Sequence, residues 1–233
     1  MNLVIIETEN NSRTKTEKLK SSKGLMKIEG EYLIERIIRI GRINGVTRVF
    51  CIINSHEPEL EHYLSTNNFG IPTKLIVPHQ EGYMHILFAL ASVHNKESFF
   101  LASTNSVFLE REFSEFVTYS LLREDADGVV AVTRHLNDKK PLGVAMNDED
   151  TILKFNHSKE GYSWFNGGIY YFSPNILSGT NYTFHADISS IELFMQSLIA
   201  DRYILKAFSF SKIINVESAA DLIKAEEFIR LNK

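Results

Sequence analysis

A strand that runs into a polar loop carrying an arginine and a lysine is a place where an α/β protein can grip phosphate. Residues 3–6 (LVII) read as such a strand, and ETENNSRTKTEKLKSSKGLMKIEG (7–30) follows, with Arg13 and Lys23 ahead of an amphipathic segment, YLIERIIRI. Phosphate sites at a first strand-to-helix connection use backbone N–H groups and a helix N-terminus. The loop departs from that plan: Gly24 is the only glycine before Gly30, and Glu7, Glu9 and Glu17 bring negative charge. Alone, Arg13 and Lys23 would read as ordinary solvated charge. His79, His85 and His157 fall in segments near the presumed cleft, but no H-x-x-x-H spacing supports zinc. Cys51 lies in an apolar run and reads as a small buried hydrophobe.

These residues need elements to position them. TRVFCIIN (47–54) is β-branched and apolar and reads as a buried strand, and TKLIVP (73–78), SFFLAS (98–103) and GVVAVTR (128–134) read as further apolar strands. Between them, EPELEHYLST (57–66, Pro58 in its first turn), YMHILFALASVH (83–94) and EFSEFVTYSLLRE (112–124) read as helices. The last carries Phe113, Phe116, Val117 and Leu121 on one face. Apolar strands alternating with helices predict an α/β fold, a mostly parallel central sheet flanked by helices. Ligands in such sheets lie beyond the carboxyl ends of the strands, so the loops after Ile6, Leu101 and Val216 are candidate walls.

The pattern then changes. PLGVAM and TILKF flank NDED (147–150) as a β-hairpin, and FNGGIYYFS (165–173) reads as a strand entered through glycines. DISSIELFMQSLIADR (187–202) places Ile188, Ile191, Met195 and Leu198 on one helical face. ILKAFSFS and KIINV read as late strands, and SAADLIKAEEFIRL (218–231) as a final helix with Ser218 as N-cap and Asp221 three residues on. No repeat, low-complexity tract or linker divides the chain, so one domain over residues 1–233, with a small β insertion near 135–190, is the expectation.

Composition bounds the function classes. The chain has 233 residues, 44% of them hydrophobic, enough for a full core. A net charge of −4 gives no general attraction to nucleic acid or to an anionic membrane. A single cysteine excludes a disulfide framework or a cysteine metal cluster. No secretory signal and no membrane-spanning run is visible, so a cytoplasmic location is expected, with no nucleic-acid and no membrane partner.

In order and spacing these segments resemble the nucleotidyltransferase superfamily, in particular the sugar-1-phosphate nucleotidyltransferases, whose fold is similar to the GT-A glycosyltransferase fold and is Rossmann-like. That family's first strand leads into G-x-G-[ST]-R-[LM], then P-K, then a helix opening P-L-[IL]-E-R. Here ETENNSRT, SSKG and EYLIERII align with it over residues 3–38 without a gap. Arg13 and Lys23 fall on the loop arginine and lysine, while the glycines fall on Glu9 and Asn11 and the proline on Ser22. EGYMHILFAL resembles the G-T-A-x-A-L helix start and keeps Gly82. FNGGIYYF resembles N-x-G-[IL]-Y, matching Asn166, Gly168 and Tyr170. INVESAADLIKAEEFI resembles D-[IV]-x-T-P-x-D-L-x-x-A, matching Asp221, Leu222 and Ala225.

The resemblance implies a reaction in which a sugar-phosphate oxygen attacks the α-phosphorus of a nucleoside triphosphate and expels pyrophosphate, helped by Mg²⁺. Arg13 and Lys23 would be the catalytic cations, and Gly82, Asn166 and Gly168 would face nucleotide or sugar. The family's two metal aspartates fall on Asn105 (in LASTN) and Asn215 (in INV). An amide oxygen can ligate a hard cation but brings no charge, and Mg²⁺ usually relies on one or two carboxylates. The expected Mg²⁺ site is therefore weak or lost. Glu9 blocks backbone approach, His157 and Ser158 replace a charged pair with Lys159 one step out of register, and Tyr83 replaces a small threonine.

Plainer readings stand beside these. Asn105 and Asn215 could be strand-end hydrogen bonders. Glu7 and Glu9 could be relocated metal ligands. Asp148 and Asp150 form the D-x-D of GT-A glycosyltransferases, but in a setting that reads as a solvated hairpin tip. Trp164 and Phe165 could stack on a sugar or pack in the core. Three functions follow: a sugar-phosphate nucleotidyltransferase, impaired or altered; a non-catalytic nucleotide-sugar-binding or regulatory protein; or a metal-independent GT-A-like glycosyltransferase. Each takes a small-molecule nucleotide or sugar phosphate as its ligand.

Overall fold

The apolar runs become strands of one sheet, buried except for the half-exposed edge strand built from 73–76. The computed structural model describes residues 1–7, 22–53, 57–77, 97–135, 141–157, 161–177 and 190–233. In chain order the elements are β1 (Asn2–Ile6), β2 (Lys27–Ile28), β3 (Glu31–Tyr32), α1 (Leu33–Ile43), β4 (Arg48–Ile52), α2 (Pro58–Thr66) and β5 (Thr73–Ile76). Then come β6 (Phe99–Ser103), β7 (Ser106–Val107), α3 (Glu110–Leu122), β8 (Gly128–Thr133), β9 (Gly143–Met146), β10 (Ile152–Asn156) and β11 (Trp164–Phe172). The chain closes with α4 (Ile191–Ala200), β12 (Leu205–Phe210), β13 (Ile214–Asn215) and α5 (Ala219–Leu231). The helix expected over 83–94 lies outside the described residues.

Among the described residues nine strands make the main sheet. β6, β1, β4 and β5 run parallel in that order. β11 lies antiparallel against β6 on one side and β8 on the other, and β12 adds parallel to β8. β8 thus has the direction the sequence predicts but is separated from the other parallel strands by one reversed strand. The β9–β10 hairpin joins at the start of β11. Apolar side chains cover both faces, as a parallel sheet requires. One face packs Leu3, Ile5, Ile37 and Phe116 under α1 and α3, and the other packs Val4, Leu101, Phe172 and Met195 under α4.

Two details adjust the sequence reading. On α3 the inward stripe is Phe113, Phe116, Val117 and Ser120, while Leu121 is half exposed. The stripe follows i, i+3, i+4, i+7, and Leu121 falls one step past it. On β11 the glycines lie inside the strand rather than at its start. Gly168 has φ +76°, and the pairing with β8 shifts between Asn166 and Tyr170. That is a β-bulge, built where only glycine accepts the backbone angle.

Candidate functional site

The carboxyl ends of β1 and β6 meet at Glu7 and at Thr104–Asn105. Just beyond β6 the chain forms β7, which pairs antiparallel with β13 so that Ser106 stands opposite Asn215. Val216 N–H donates to the Asn105 carbonyl at 2.9 Å. Asn105 and Asn215, 110 positions apart by number, are therefore brought to one short bridge just beyond the carboxyl end of β6. Gly168 on β11 borders the same place: a Cβ there would lie 3.9 Å from Ser106 Oγ.

Lys23 opens a single 3₁₀ turn, Lys23–Leu25, and is only 1% exposed. A buried ammonium needs a partner, since desolvation without one is costly. The partner is Glu217: Lys23 Nζ stands 2.7 Å from Glu217 Oε2. The other oxygen of that carboxylate, Oε1, accepts from Asn105 Nδ2 at 2.7 Å. Lys23, Glu217 and Asn105 form a chain of polar contacts across three distant segments. Glu217 is pinned from behind, because its N–H donates to Asp221 Oδ2 at 3.4 Å just ahead of the Ser218 cap of α5. Its side chain nevertheless keeps 52% of its surface open. Sequence reasoning missed Glu217. The signal was adjacent, as it is the second residue after Asn215, but only folding shows that it reaches Lys23.

Glu7 is the second surprise. Instead of projecting charge into a loop it is 3% exposed, accepting from Ser22 Oγ at 3.3 Å and from Thr104 Oγ1. Burial pushes its carboxyl up to about 7, against the pull of those hydrogen bonds and of the Lys23 charge. Its negative charge is correspondingly weaker near neutral pH than the sequence alone suggests.

The donor set at the bridge does not fit Mg²⁺. Asn105 Oδ1 accepts from Ser103 Oγ at 2.5 Å, and Asn215 Oδ1 accepts from Ser106 Oγ at 3.2 Å. Both amide oxygens are engaged by serines and neither carries charge. Among the described residues no group of three or more His, Cys, Asp or Glu side chains is placed to hold a metal. Asp148, Glu149 and Asp150 are exposed at the tip between β9 and β10. There Asn147 Oδ1 accepts from Glu149 N–H at 3.1 Å and Thr151 N–H at 2.8 Å, as in a solvated turn.

The N-G-G of β11 has a local explanation. Asn166 Oδ1 accepts from Gly168 N–H at 3.2 Å and its Nδ2 donates to Tyr170 Oη at 2.6 Å. A Cβ on Gly167 would collide with Ile213 Cδ1 and come within 3.0 Å of the Ala131 carbonyl. Trp164 is partly buried against the core, with the Arg134 guanidinium 4.5 Å over its ring. His157 pairs with Glu192 at an exposed edge. Cys51 is fully buried, and burial raises its thiol to about 12. Arg13, Gly82, Glu9, Tyr83, Ser158, Lys159, His79 and His85 lie outside the described residues.

The fold is shared with solved structures of sugar-phosphate nucleotidyltransferases. Among solved structures the chain is similar to the inositol-1-phosphate CTP transferase from T. maritima, with a TM-score of 0.78 and 18% identity over 98% of this chain and 94% of the other. It is similar to the UDP-glucose pyrophosphorylase from Acinetobacter baumanii, with a TM-score of 0.78 and 12% identity over 99% and 93% of the two chains. HddC from Yersinia pseudotuberculosis complexed with GMP-PN gives 0.74 and 17% over 97% and 98%. No family model and no curated protein sequence matches the chain. No helix among the described residues is long and apolar enough to cross a membrane.

Proposed function

We propose that this protein binds a nucleotide sugar or sugar phosphate on a nucleotidyltransferase fold, and that metal-assisted transfer of a nucleotidyl group is impaired in it. The observation that carries this reading is the contact chain Lys23–Glu217–Asn105. Nucleotidyl transfer asks the protein to align the phosphates and neutralise spreading negative charge, with Mg²⁺ as the main Lewis acid. Two neutral amides fall on the positions of the family's metal aspartates, their oxygens bound to Ser103 and Ser106. Lys23, the lysine expected to meet a phosphate, has a carboxylate against it. The ligand-side end of the sheet, with Lys23 set at the floor and the β11 bulge at the wall, supports retention of binding.

The test is incubation of the protein with each nucleoside triphosphate, Mg²⁺ and a panel of sugar 1-phosphates, with pyrophosphate release as the signal. The expected result is release no faster than in the absence of protein. Rapid Mg²⁺-dependent release would refute the reading. Sugar transfer from a nucleotide sugar without pyrophosphate release would favour the glycosyltransferase alternative.

A further inference from the structure

We infer that Glu217 is a resident anion of this site: its carboxylate holds the position on Lys23 that a ligand phosphate oxygen would take, and a phosphate monoester binds only by displacing it. The inference rests on the reading that Lys23 faces the ligand, and it assigns the residue that sets affinity there.

Three observations converge on position 217. The Lys23 ammonium is sealed from solvent, with its side chain 2% exposed, whereas the Glu217 side chain is 52% exposed. The buried member is fixed and the open member is free to leave. The Glu217 backbone is held independently of its side chain, between the Val216–Asn105 hydrogen bond and the Asp221 contact at the start of α5. Swinging the carboxylate outward therefore does not require moving β13 or the helix. Finally, the carboxylate makes two charge-assisted or polar contacts at 2.7 Å, one to Lys23 and one to Asn105 Nδ2. Two phosphate oxygens can make the same pair of contacts, since both partners are donors.

The amide at position 105 is part of the device. An aspartate there would repel Glu217, while the asparagine donates to it. The neutral residue at the bridge thus does more than remove a charge. It allows the chain's own carboxylate to settle where a ligand anion belongs.

The experiment titrates inorganic phosphate and glucose 1-phosphate into the wild type, Glu217→Gln, and Glu217→Gln combined with Lys23→Gln, read by calorimetry and by thermal melting. Glutamine keeps the shape and an acceptor for Lys23 but removes the competing charge. Glu217→Gln is expected to bind both probes about tenfold more tightly than the wild type, on the scale of one hydrogen bond to a charged group. The gain is expected to vanish when Lys23 is also replaced. Glu217→Ala, which clears the side chain from a half-exposed position, is expected to give the same ordering if the glutamine variant folds poorly. Equal affinity of wild type and Glu217 variants overturns the inference, as does a gain that survives loss of Lys23. Neither outcome depends on pyrophosphate release, so this result is separable from the test of nucleotidyl transfer.

Discussion

The two sides of the candidate site are built differently. On the floor, at the ends of β1 and β6, polar groups satisfy one another across long stretches of chain: Lys23 with Glu217, Asn105 with Glu217, Glu7 with Thr104. On the wall, along β11, Asn166 is satisfied within four residues by Gly168 and Tyr170. The floor depends on which charges face each other, and the wall on which backbone angles are allowed. A change on the floor should therefore be felt through pH and ions, and a change on the wall through packing alone.

The largest expected effect separates the two on pH. Folded Glu7 holds its proton up to about 7, against 4.5 ordinarily. Between those values the folded chain binds a proton that the unfolded chain has released. This contribution to stability is full below 4.5 and is lost as pH rises through about 7, by roughly 3 kcal/mol at most. Glu7→Gln should remove that slope in denaturant titrations run across the window. An unchanged slope would show that the floor is not charge-controlled. On the wall, Gly167→Ala should cost about 2 kcal/mol through overpacking against Ile213 and the Ala131 carbonyl, equally at all pH values. A pH-dependent loss there would break the contrast.

Asn105→Asp is the sharper test of the floor. It replaces a donor by a charge beside Glu217 at a position 2% exposed, and should cost about 2 kcal/mol. Added Mg²⁺ should restore the melting temperature of this variant, and more fully when Asn215→Asp is also present. Recovery without Mg²⁺ would show that repulsion at the bridge is not the cause. The smallest effect concerns the support behind Glu217. Ser218→Ala removes the cap that accepts from Asp221 N–H at 3.3 Å, and should cost about 1 kcal/mol in melting experiments.

Most of the frame was legible in the sequence because hydrophobic periodicity is a local property. β4, β6 and β8 fall within the apolar runs, β1 extends its run by Asn2, and Ser218 caps α5 as its spacing with Asp221 predicts. The meeting of Asn105 and Asn215 at one bridge was legible only through the family resemblance, since no local pattern joins them. Glu217 and Glu7 were not legible. A glutamate beside a helix cap reads as solvated charge, and a glutamate opening a polar loop reads as part of it. What decides each is a partner far away in the chain, Lys23 for the first and Thr104 for the second. Leu121 shows a smaller failure of the same kind: the sequence places it on the face of Phe113, Phe116 and Val117, and Ser120 takes that place.

On the proposed function, this site meets anions with Lys23 and without a divalent cation. Thermal melting of the wild type with nucleoside triphosphates and nucleotide sugars, each with and without Mg²⁺, tests it most directly. Stabilisation by ligand alone, not increased by Mg²⁺, is the expected result. Stabilisation that appears only when Mg²⁺ is present would contradict it.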